Sequence, residues 1–126
     1  MKNTSKSVTP KAKVLIVDDE LLMREVLKIM LSDFDTVEAS NGREAVEVFK
    51  KEKPDIVLMD IRMPIMDGIK AIKEILRICP EAKIVALTAY TTSKGDEIVE
   101  AGARAILKKP ITKKRLYETL VNLLRE

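Results

Sequence analysis

The sequence predicts an α/β fold, a three-layer, doubly wound (βα)5 sandwich in which a parallel five-stranded sheet lies between two layers of helices. Three observations support this prediction. Short apolar runs alternate five times with segments whose apolar residues recur at helical spacing. The runs lack polar alternation, which is typical of strands that are buried on both faces. The length of 126 residues and the apolar content of 46% suit one domain with one core.

The first two βα units follow from two short runs and the helical segments after them. The apolar run 14–17 predicts the first strand, and the next segment repeats apolar residues at intervals of three and four. A brief second strand over 36–39 leads to a second helix, which Ser40 or Asn41 can cap. The apolar residues that recur at helical spacing in the first helix are Leu22, Val26, Ile29 and Met30.

The third unit contains the most informative stretch of the chain. Residues 56–59 are consecutive apolar residues that lead into Asp60, and turn residues follow up to Gly68. This pattern predicts a buried strand that delivers Asp60 to the carboxyl edge of the sheet, where open α/β sheets bind ligands. The inward face of the helix after it is predicted to be Ile69, Ile72, Ile75 and Leu76.

The last two units complete the alternation. The fourth strand is predicted over 84–87 and the fourth helix over 92–101, with Gly102 as its stop. The run 105–108 predicts the fifth strand, and Thr112 can cap the last helix. The apolar face of that helix is predicted to be Leu116, Leu120, Leu123 and Leu124.

Charge is unevenly distributed along the chain. The pI is 9.0, but four lysines and no acidic residue lie within the first thirteen residues. Without these lysines, 19 basic residues face 20 acidic ones, from totals of 23 and 20. We therefore expect a disordered basic tail over 1–12 and a domain over 13–126 that is not basic, which argues against direct nucleic-acid binding.

Residue content excludes several kinds of site. The chain has no histidine and one cysteine, Cys79, so Ser-His-Asp and Cys-His catalysis are impossible. Any metal site must use oxygen ligands, which favour a hard cation such as Mg²⁺. No stretch approaches the about 20 consecutive apolar residues of a membrane span, so we expect a cytoplasmic protein without membrane contact.

Polar residues follow four of the predicted strands. Asp18 and Asp19 follow the first, Asp60 the third, Thr88 the fourth, and the segment 108–110 the fifth. Because the carboxyl ends of parallel strands share one edge, these residues should lie together. Three close carboxylates cannot all stay ionised unaided, so a cation or a proton is required. A carboxylate nucleophile, a bound cation, a hydroxyl and a lysine can together accept a phosphoryl group.

Four motifs follow one another along the chain. They are the acidic segment 14–20, the segment Asp60-Ile61-Arg62-Met63-Pro64 with Asp67-Gly68, Leu87-Thr88-Ala89, and Lys109-Pro110. These motifs resemble those of the receiver domains of two-component response regulators, and the resemblance covers nearly everything after the tail. It implies a flavodoxin-like fold with strand order 2-1-3-4-5 and no enzymatic activity beyond the protein's own phosphorylation and dephosphorylation.

The resemblance implies a metal site and a phosphoryl acceptor. Asp60 would be phosphorylated and would also contact the cation. Asp19 would bind Mg²⁺ directly and Asp18 largely through water, with Mn²⁺ as an alternative ion. The backbone carbonyl of Arg62 would be a further ligand.

The resemblance also implies the groups that contact the phosphoryl oxygens. Thr88 would donate a hydrogen bond, and Lys109 would supply a positive charge from a cis Lys109–Pro110 peptide. Lys108, one residue earlier on a strand, should point to the other side.

The chain departs from the family pattern at one position and adds two residues at the mouth of the site. Ile106 stands where family members commonly carry the Tyr or Phe that swings inward on activation. Tyr90 and Arg62 lie two residues beyond Thr88 and Asp60, where they could restrict the water that hydrolyses the acyl phosphate. We expect a moderately long-lived phosphoryl group.

Partners follow from the same resemblance. The phosphoryl group would come from a sensor histidine kinase or a histidine phosphotransfer protein. Because the last predicted helix ends at the end of the chain, we expect a stand-alone, monomeric receiver. It would contact a downstream target protein or pass the phosphoryl group onward in a relay, and Ile106 slightly favours the relay.

Other interpretations remain open from the residues alone. Asp18 or Asp19 could cap the first helix. A Mg²⁺-dependent phosphatase of the haloacid dehalogenase type also ends an apolar strand in a nucleophilic Asp, but it would need a second Asp where Arg62 stands. A pseudo-receiver that serves only as an interaction module would need no phosphorylation.

Overall fold

The structure is a computed structural model and describes residues 11–89 and 95–126. Strands and helices alternate along these residues, as predicted. Within them the strands are β1 (Lys13–Val17), β2 (Asp35–Ala39), β3 (Ile56–Asp60), β4 (Ile84–Thr88) and β5 (Ala105–Lys108). The helices of the same ranges are α1 (Leu21–Met30), α2 (Gly42–Glu52), α3 (Gly68–Ile78), α4 (Gly95–Ala101) and α5 (Lys113–Leu124).

The strands form one parallel sheet in the order β2-β1-β3-β4-β5. This arrangement confirms the predicted order 2-1-3-4-5. The register aligns the strand ends, because Val17 of β1 lies beside Met59 of β3 and Asp60 lies beside Leu87 of β4. The carboxyl ends of the strands therefore meet at one edge of the sheet.

The sheet separates two apolar clusters, as predicted for strands that are covered on both faces. Leu15 and Val17 of β1 belong to the cluster beneath α2, α3 and α4. Val14 and Ile16 belong to the cluster beneath α1 and α5. All four side chains are fully buried. Because neighbouring residues of β1 are held from opposite sides, the strand is a rigid support for the residues that follow it.

Three of the four apolar residues whose spacing predicts α1 lie on its solvent side. Leu22, Val26 and Ile29 are 79%, 45% and 74% exposed. The side that packs on the sheet contains buried Leu27, together with the partly buried Met23 and Met30. Both sides of this helix are apolar, so periodicity reveals two stripes without showing which one faces the sheet.

The helix ends follow the predicted capping chemistry. Of the two candidates before α2, Asn41 is the cap, because its side chain accepts a hydrogen bond from the Glu44 amide at 2.8 Å. Thr112 caps α5 by accepting from the Arg115 amide at 3.1 Å. Gly102 follows α4 with a φ of +114°, a left-handed conformation that glycine adopts without a steric penalty.

Some predicted features lie outside the described residues. They include the basic tail over 1–12, apart from its last two residues, as well as Tyr90 and the start of the fourth helix at Thr92. In the part of the chain that the structure describes, no helix is both long and apolar enough to cross a membrane.

Candidate functional site

Three carboxylates meet at the carboxyl edge of the sheet. Asp18 and Asp19 follow β1, Asp60 ends β3, and oxygens of the three lie within 4.8 Å of one another. Asp18 is fully buried and Asp60 is 6% exposed, whereas Asp19 is open to solvent. An oxygen cluster of this size, open on one side, suits a hard divalent cation that keeps some of its water ligands.

Lys109 approaches the carboxylates from the β5 side. Its Nζ lies 3.3 Å from Oδ1 of Asp60 and 3.4 Å from Oδ2 of Asp18. Its backbone amide donates to the carbonyl oxygen of Thr88 at 2.8 Å, and the Lys109–Pro110 peptide is cis. The preceding Lys108 is exposed. The lysine beside Pro110 is therefore the one that contacts the carboxylates.

An open cleft of about 330 Å³ gives access to this cluster. Thr88 is 4% exposed and lines the cleft from the end of β4, whereas Arg62 is exposed and lines it from the loop after β3. Among the described residues, the lining is Asp19, Glu20, Asp60, Arg62, Thr88, Ala89 and Lys109. A negatively charged group that enters the cleft meets a lysine and a hydroxyl as well as the acidic residues.

The environment of Asp60 disfavours its charge. Burial first, and the charge of Asp18 second, raise the pKa of Asp60 to about 6, although Lys109 partly offsets both effects. Burial lowers the pKa of Lys109, but the charges of Asp60 and Asp18 outweigh this effect and raise it. Lys109 therefore stays protonated. A divalent cation beside Asp60 would favour its ionised, nucleophilic form.

The turn after β1 fixes Asp18 without making it a helix cap. Its Oδ1 accepts a hydrogen bond from the Glu20 amide at 2.9 Å, and its own amide donates to the Ala39 carbonyl at 3.2 Å. The N-cap of α1 is Glu20, which makes no side-chain capping bond. The alternative in which Asp18 or Asp19 caps the first helix is therefore wrong.

Two glycines bring the loop after Asp60 close to its neighbours. The amide of Gly68 donates to the Ile61 carbonyl at 2.9 Å, and a Cβ at Gly68 would collide with the Asp60 carbonyl. The amide of Gly42 donates to the Met66 carbonyl at 3.0 Å, and a Cβ there would collide with that carbonyl. The sequence showed Gly68 as a turn residue, but it gave no signal for Gly42.

The remaining predicted residue, Ile106, lies in the middle of β5. It is partly buried and packs against the cluster beneath α2, α3 and α4. An aliphatic side chain thus occupies the position where a ring was expected from the family pattern.

The comparison with protein families decides between the open interpretations. A family model described as the response regulator receiver domain matches residues 14–121. The chain belongs to this family. Receiver domains bind Mg²⁺ at an acidic pocket, and the described residues contain such a cluster. The predicted function as a response regulator receiver is confirmed, and nothing in the comparisons favours the phosphatase or the interaction module.

Individual relatives agree with the family match. The chemotaxis protein CheY of Thermotoga maritima is 48% identical over 112 residues, which cover 86% of this chain and 93% of that protein. The solved chemotaxis protein CheY4 of Vibrio cholerae is similar with a TM-score of 0.85 at 31% identity, covering 90% of this chain and 98% of that one.

A third relative was solved with bound groups. The CheX-CheY-BeF3-Mg²⁺ complex of Borrelia burgdorferi is similar with a TM-score of 0.84 at 26% identity, covering 94% of this chain and 93% of that one. Together these comparisons confirm the predicted flavodoxin-like fold and the resemblance to the receiver family.

We expect Asp60→Asn to raise the free energy of unfolding by about 1–3 kcal/mol at pH 8 in EDTA. The substitution removes a carboxyl group whose pKa is about 6 in the folded protein and 3.8 in the reference state. The raised pKa means that the ionised form destabilises the folded state. The gain should therefore shrink as the pH falls from 6 toward 3.8.

Urea denaturation followed by circular dichroism measures this difference. Asp35→Asn, at an exposed position at the start of β2, is the control and should have little effect. Equal changes for both variants, or a less stable Asp60→Asn, would contradict the expectation.

Proposed function

We propose that the chain accepts a phosphoryl group on Asp60 in a Mg²⁺-dependent reaction and signals through protein contacts. The observation that carries this proposal is a nearly buried carboxylate at the base of an open cleft, with carboxylates on one side and Lys109 Nζ 3.3 Å away on the other. Lys109 supplies positive charge on one side of this nucleophile, and a cation held by the carboxylates would supply it on the other, which meets the main need of phosphoryl transfer, positioning and charge neutralisation.

The transfer step is a substitution at phosphorus. A carboxylate oxygen of Asp60 attacks the phosphorus of a phosphohistidine, the new O–P bond forms the acyl phosphate, and the N–P bond breaks. The departing imidazole nitrogen keeps the electron pair of that bond and takes up a proton from solvent. A bound Mg²⁺ would supply positive charge to the phosphoryl oxygens during this step.

Each residue of the edge has a role in this proposal. Asp19 would hold Mg²⁺ directly, Asp18 would hold it largely through water, and the carbonyl of Arg62 would supply a further oxygen, with Mn²⁺ as a substitute ion. Lys109 exchanges its contact with the Asp60 carboxylate for one with a phosphoryl oxygen. Thr88, at the end of β4, donates a hydrogen bond to a second phosphoryl oxygen.

The phosphoryl group adds a charge of about −2 to the edge of the sheet. Thr88 and Lys109 reorient toward it, and the change spreads to α4 and β5, whose outer surface is the proposed contact for a downstream protein. Because Ile106 is aliphatic and partly buried, we propose that the switch runs through Thr88 without an aromatic partner. Passing the phosphoryl group onward in a relay requires less of this conformational change than activating a downstream protein does.

The exposed stripe of α1 is proposed to bind the phosphodonor protein. Leu22, Val26 and Ile29 lie on one side of the helix at intervals of four and three residues. Glu20 lines both the cleft of Asp60 and a second depression formed by the first turn of α1. A helix of a histidine kinase or phosphotransfer protein that packs on this stripe would place its phosphohistidine near the cleft.

Phosphorylation itself is tested with small donors. Incubation with acetyl phosphate and Mg²⁺ should add one phosphoryl group to the wild type, detected by intact mass, and Asp60→Asn should gain none. Asp19→Asn should react more slowly at a given Mg²⁺ concentration, because it loses a cation ligand. Absence of an adduct that depends on both Asp60 and Mg²⁺ would refute the proposal and support an interaction module.

Arg62→Ala is expected to speed hydrolysis of the acyl phosphate several-fold, because the exposed side chain lines the cleft and restricts water there. The decay of phosphorylated protein with time, followed by mass spectrometry, gives the rate. Lys108→Ala, outside the cleft lining, is the control. Tyr90→Ala tests the second predicted residue in the same way. Unchanged decay in both the Arg62 and Tyr90 variants would contradict the idea of a shielded phosphoryl group.

Leu22→Ser with Ile29→Ser should slow transfer from a protein donor by about tenfold or more, because each large apolar side chain that is buried on docking contributes about 1.5–3 kcal/mol. The reaction with acetyl phosphate should stay unchanged. The donor is a purified histidine kinase or phosphotransfer protein that labels the wild type, found by screening candidates with radioactive phosphate.

Val99→Ser offers a matched control for this experiment, since Val99 is 60% exposed on α4. A larger effect at Val99 than at the α1 positions would place donor docking on α4 instead.

A further inference from the structure

Arg24 lies on α1 outside the cleft lining and yet contacts its acidic edge. Its Nη1 donates to the backbone carbonyl oxygen of Asp18 at 2.7 Å, and its Nε donates to Oε1 of Glu38 at 2.9 Å. Only 15% of the side chain is exposed. One guanidinium therefore joins α1, the turn after β1, and the middle of β2.

The carbonyl that Arg24 holds belongs to the peptide between Asp18 and Asp19. The amide and the carboxylate of Asp18 have other partners, the Ala39 carbonyl at 3.2 Å and the Glu20 amide at 2.9 Å. Arg24 adds a contact at the carbonyl, so Asp18 is fixed at its amide, side chain and carbonyl. Because Asp19 continues from this peptide, the direction of its exposed carboxylate depends on how the peptide is oriented.

Glu38 holds the arginine in place. Its other carboxylate oxygen pairs with Lys28 Nζ at 3.0 Å. The bond to Lys28 has the largest effect on the pKa of Glu38 and lowers it; burial opposes this change, and the bond to Arg24 adds a smaller lowering effect. Glu38 therefore stays ionised and gives Arg24 a charged acceptor. The two donors of Arg24 point in different directions, to a carbonyl and to a carboxylate, and a lysine with its single nitrogen cannot reproduce this geometry.

We infer that Arg24 is a positioning residue for the metal site of the proposed function, on which this inference rests. Arg24 lies outside the lining of the cleft that would hold the cation and the phosphoryl group. It acts by fixing the Asp18–Asp19 peptide, so that the two carboxylates keep the separation a small octahedral ion requires. Without it, the carbonyl loses a charged donor, the peptide can rotate, and Mg²⁺ must order Asp19 when it binds.

The test compares Mg²⁺ binding by isothermal titration calorimetry in the wild type, Arg24→Met and Arg24→Lys. We expect Arg24→Met to bind Mg²⁺ about 10–100-fold more weakly, the range for loss of an outer partner of a metal ligand. Arg24→Lys should be intermediate. Lys28→Met is the matched control, because it removes a cation from the same helix and the same Glu38 pair without a contact to Asp18. Its affinity should equal that of the wild type.

A second readout separates positioning from general stability. The electron paramagnetic resonance spectrum of bound Mn²⁺ reports the symmetry of its ligands and should broaden in Arg24→Met, and not in Lys28→Met. A purely structural role would lower the melting temperature in EDTA and leave Mg²⁺ affinity and the Mn²⁺ spectrum unchanged, which would overturn the inference.

Two further outcomes are distinguishable. If Arg24→Met fails to fold, the same Mg²⁺ affinities are measured in Arg24→Lys and Glu38→Gln. Glu38→Gln keeps a hydrogen-bond acceptor for Arg24 and removes its charge. Wild-type affinity in every folded variant overturns the role of Arg24 alone. If the wild type itself binds no Mg²⁺, the proposed function fails, and the role of Arg24 fails with it.

Discussion

The closeness of three carboxylates at one edge of the sheet is the constraint on which the rest of the structure depends. Their oxygens lie within 4.8 Å, and two of the three residues are buried. Three carboxylates against one lysine leave a net charge of about −2, which the fold tolerates only at a cost in stability. Burial and this repulsion together raise the pKa of Asp60. The repulsion also supports the affinity for a divalent cation that is proposed for this edge.

Rigid supports are needed to hold like charges so close together. β1 and β3 are buried on both faces and lie side by side in the sheet, so neither Asp18 nor Asp60 can move away without disturbing two apolar clusters. Lys109 is held from the opposite side by its backbone contact with Thr88. The residues of the proposed site therefore lie on separate segments, and the parallel register brings them together.

The sequence predicted what depends on local chemistry and on topology. Apolar runs located the strands, the capping preferences of Asn41 and Thr112 located helix starts, and the shared edge brought Asp60 and Lys109 together. Prediction from the sequence failed where a contact depends on the rotation of a helix about its axis or on the path of a loop. Both sides of α1 are apolar, so the helical repeat of Leu22 did not reveal that 79% of this residue is exposed. The sequence did not indicate the contacts of Arg24 and Gly42, because a charge on a helix and a glycine at a helix start are common features with many explanations.

The two apolar stripes of α1 separate folding from the recognition that is proposed for this helix. Leu27 and its neighbours on the inner stripe pack against the sheet, whereas Leu22 and Ile29 on the outer stripe contribute little to the buried core. Substitutions on the outer stripe are therefore nearly free of a folding penalty and leave the acidic edge intact. After gene duplication, such a helix can diverge toward a new partner one residue at a time, while its inner stripe keeps every intermediate folded and chemically competent.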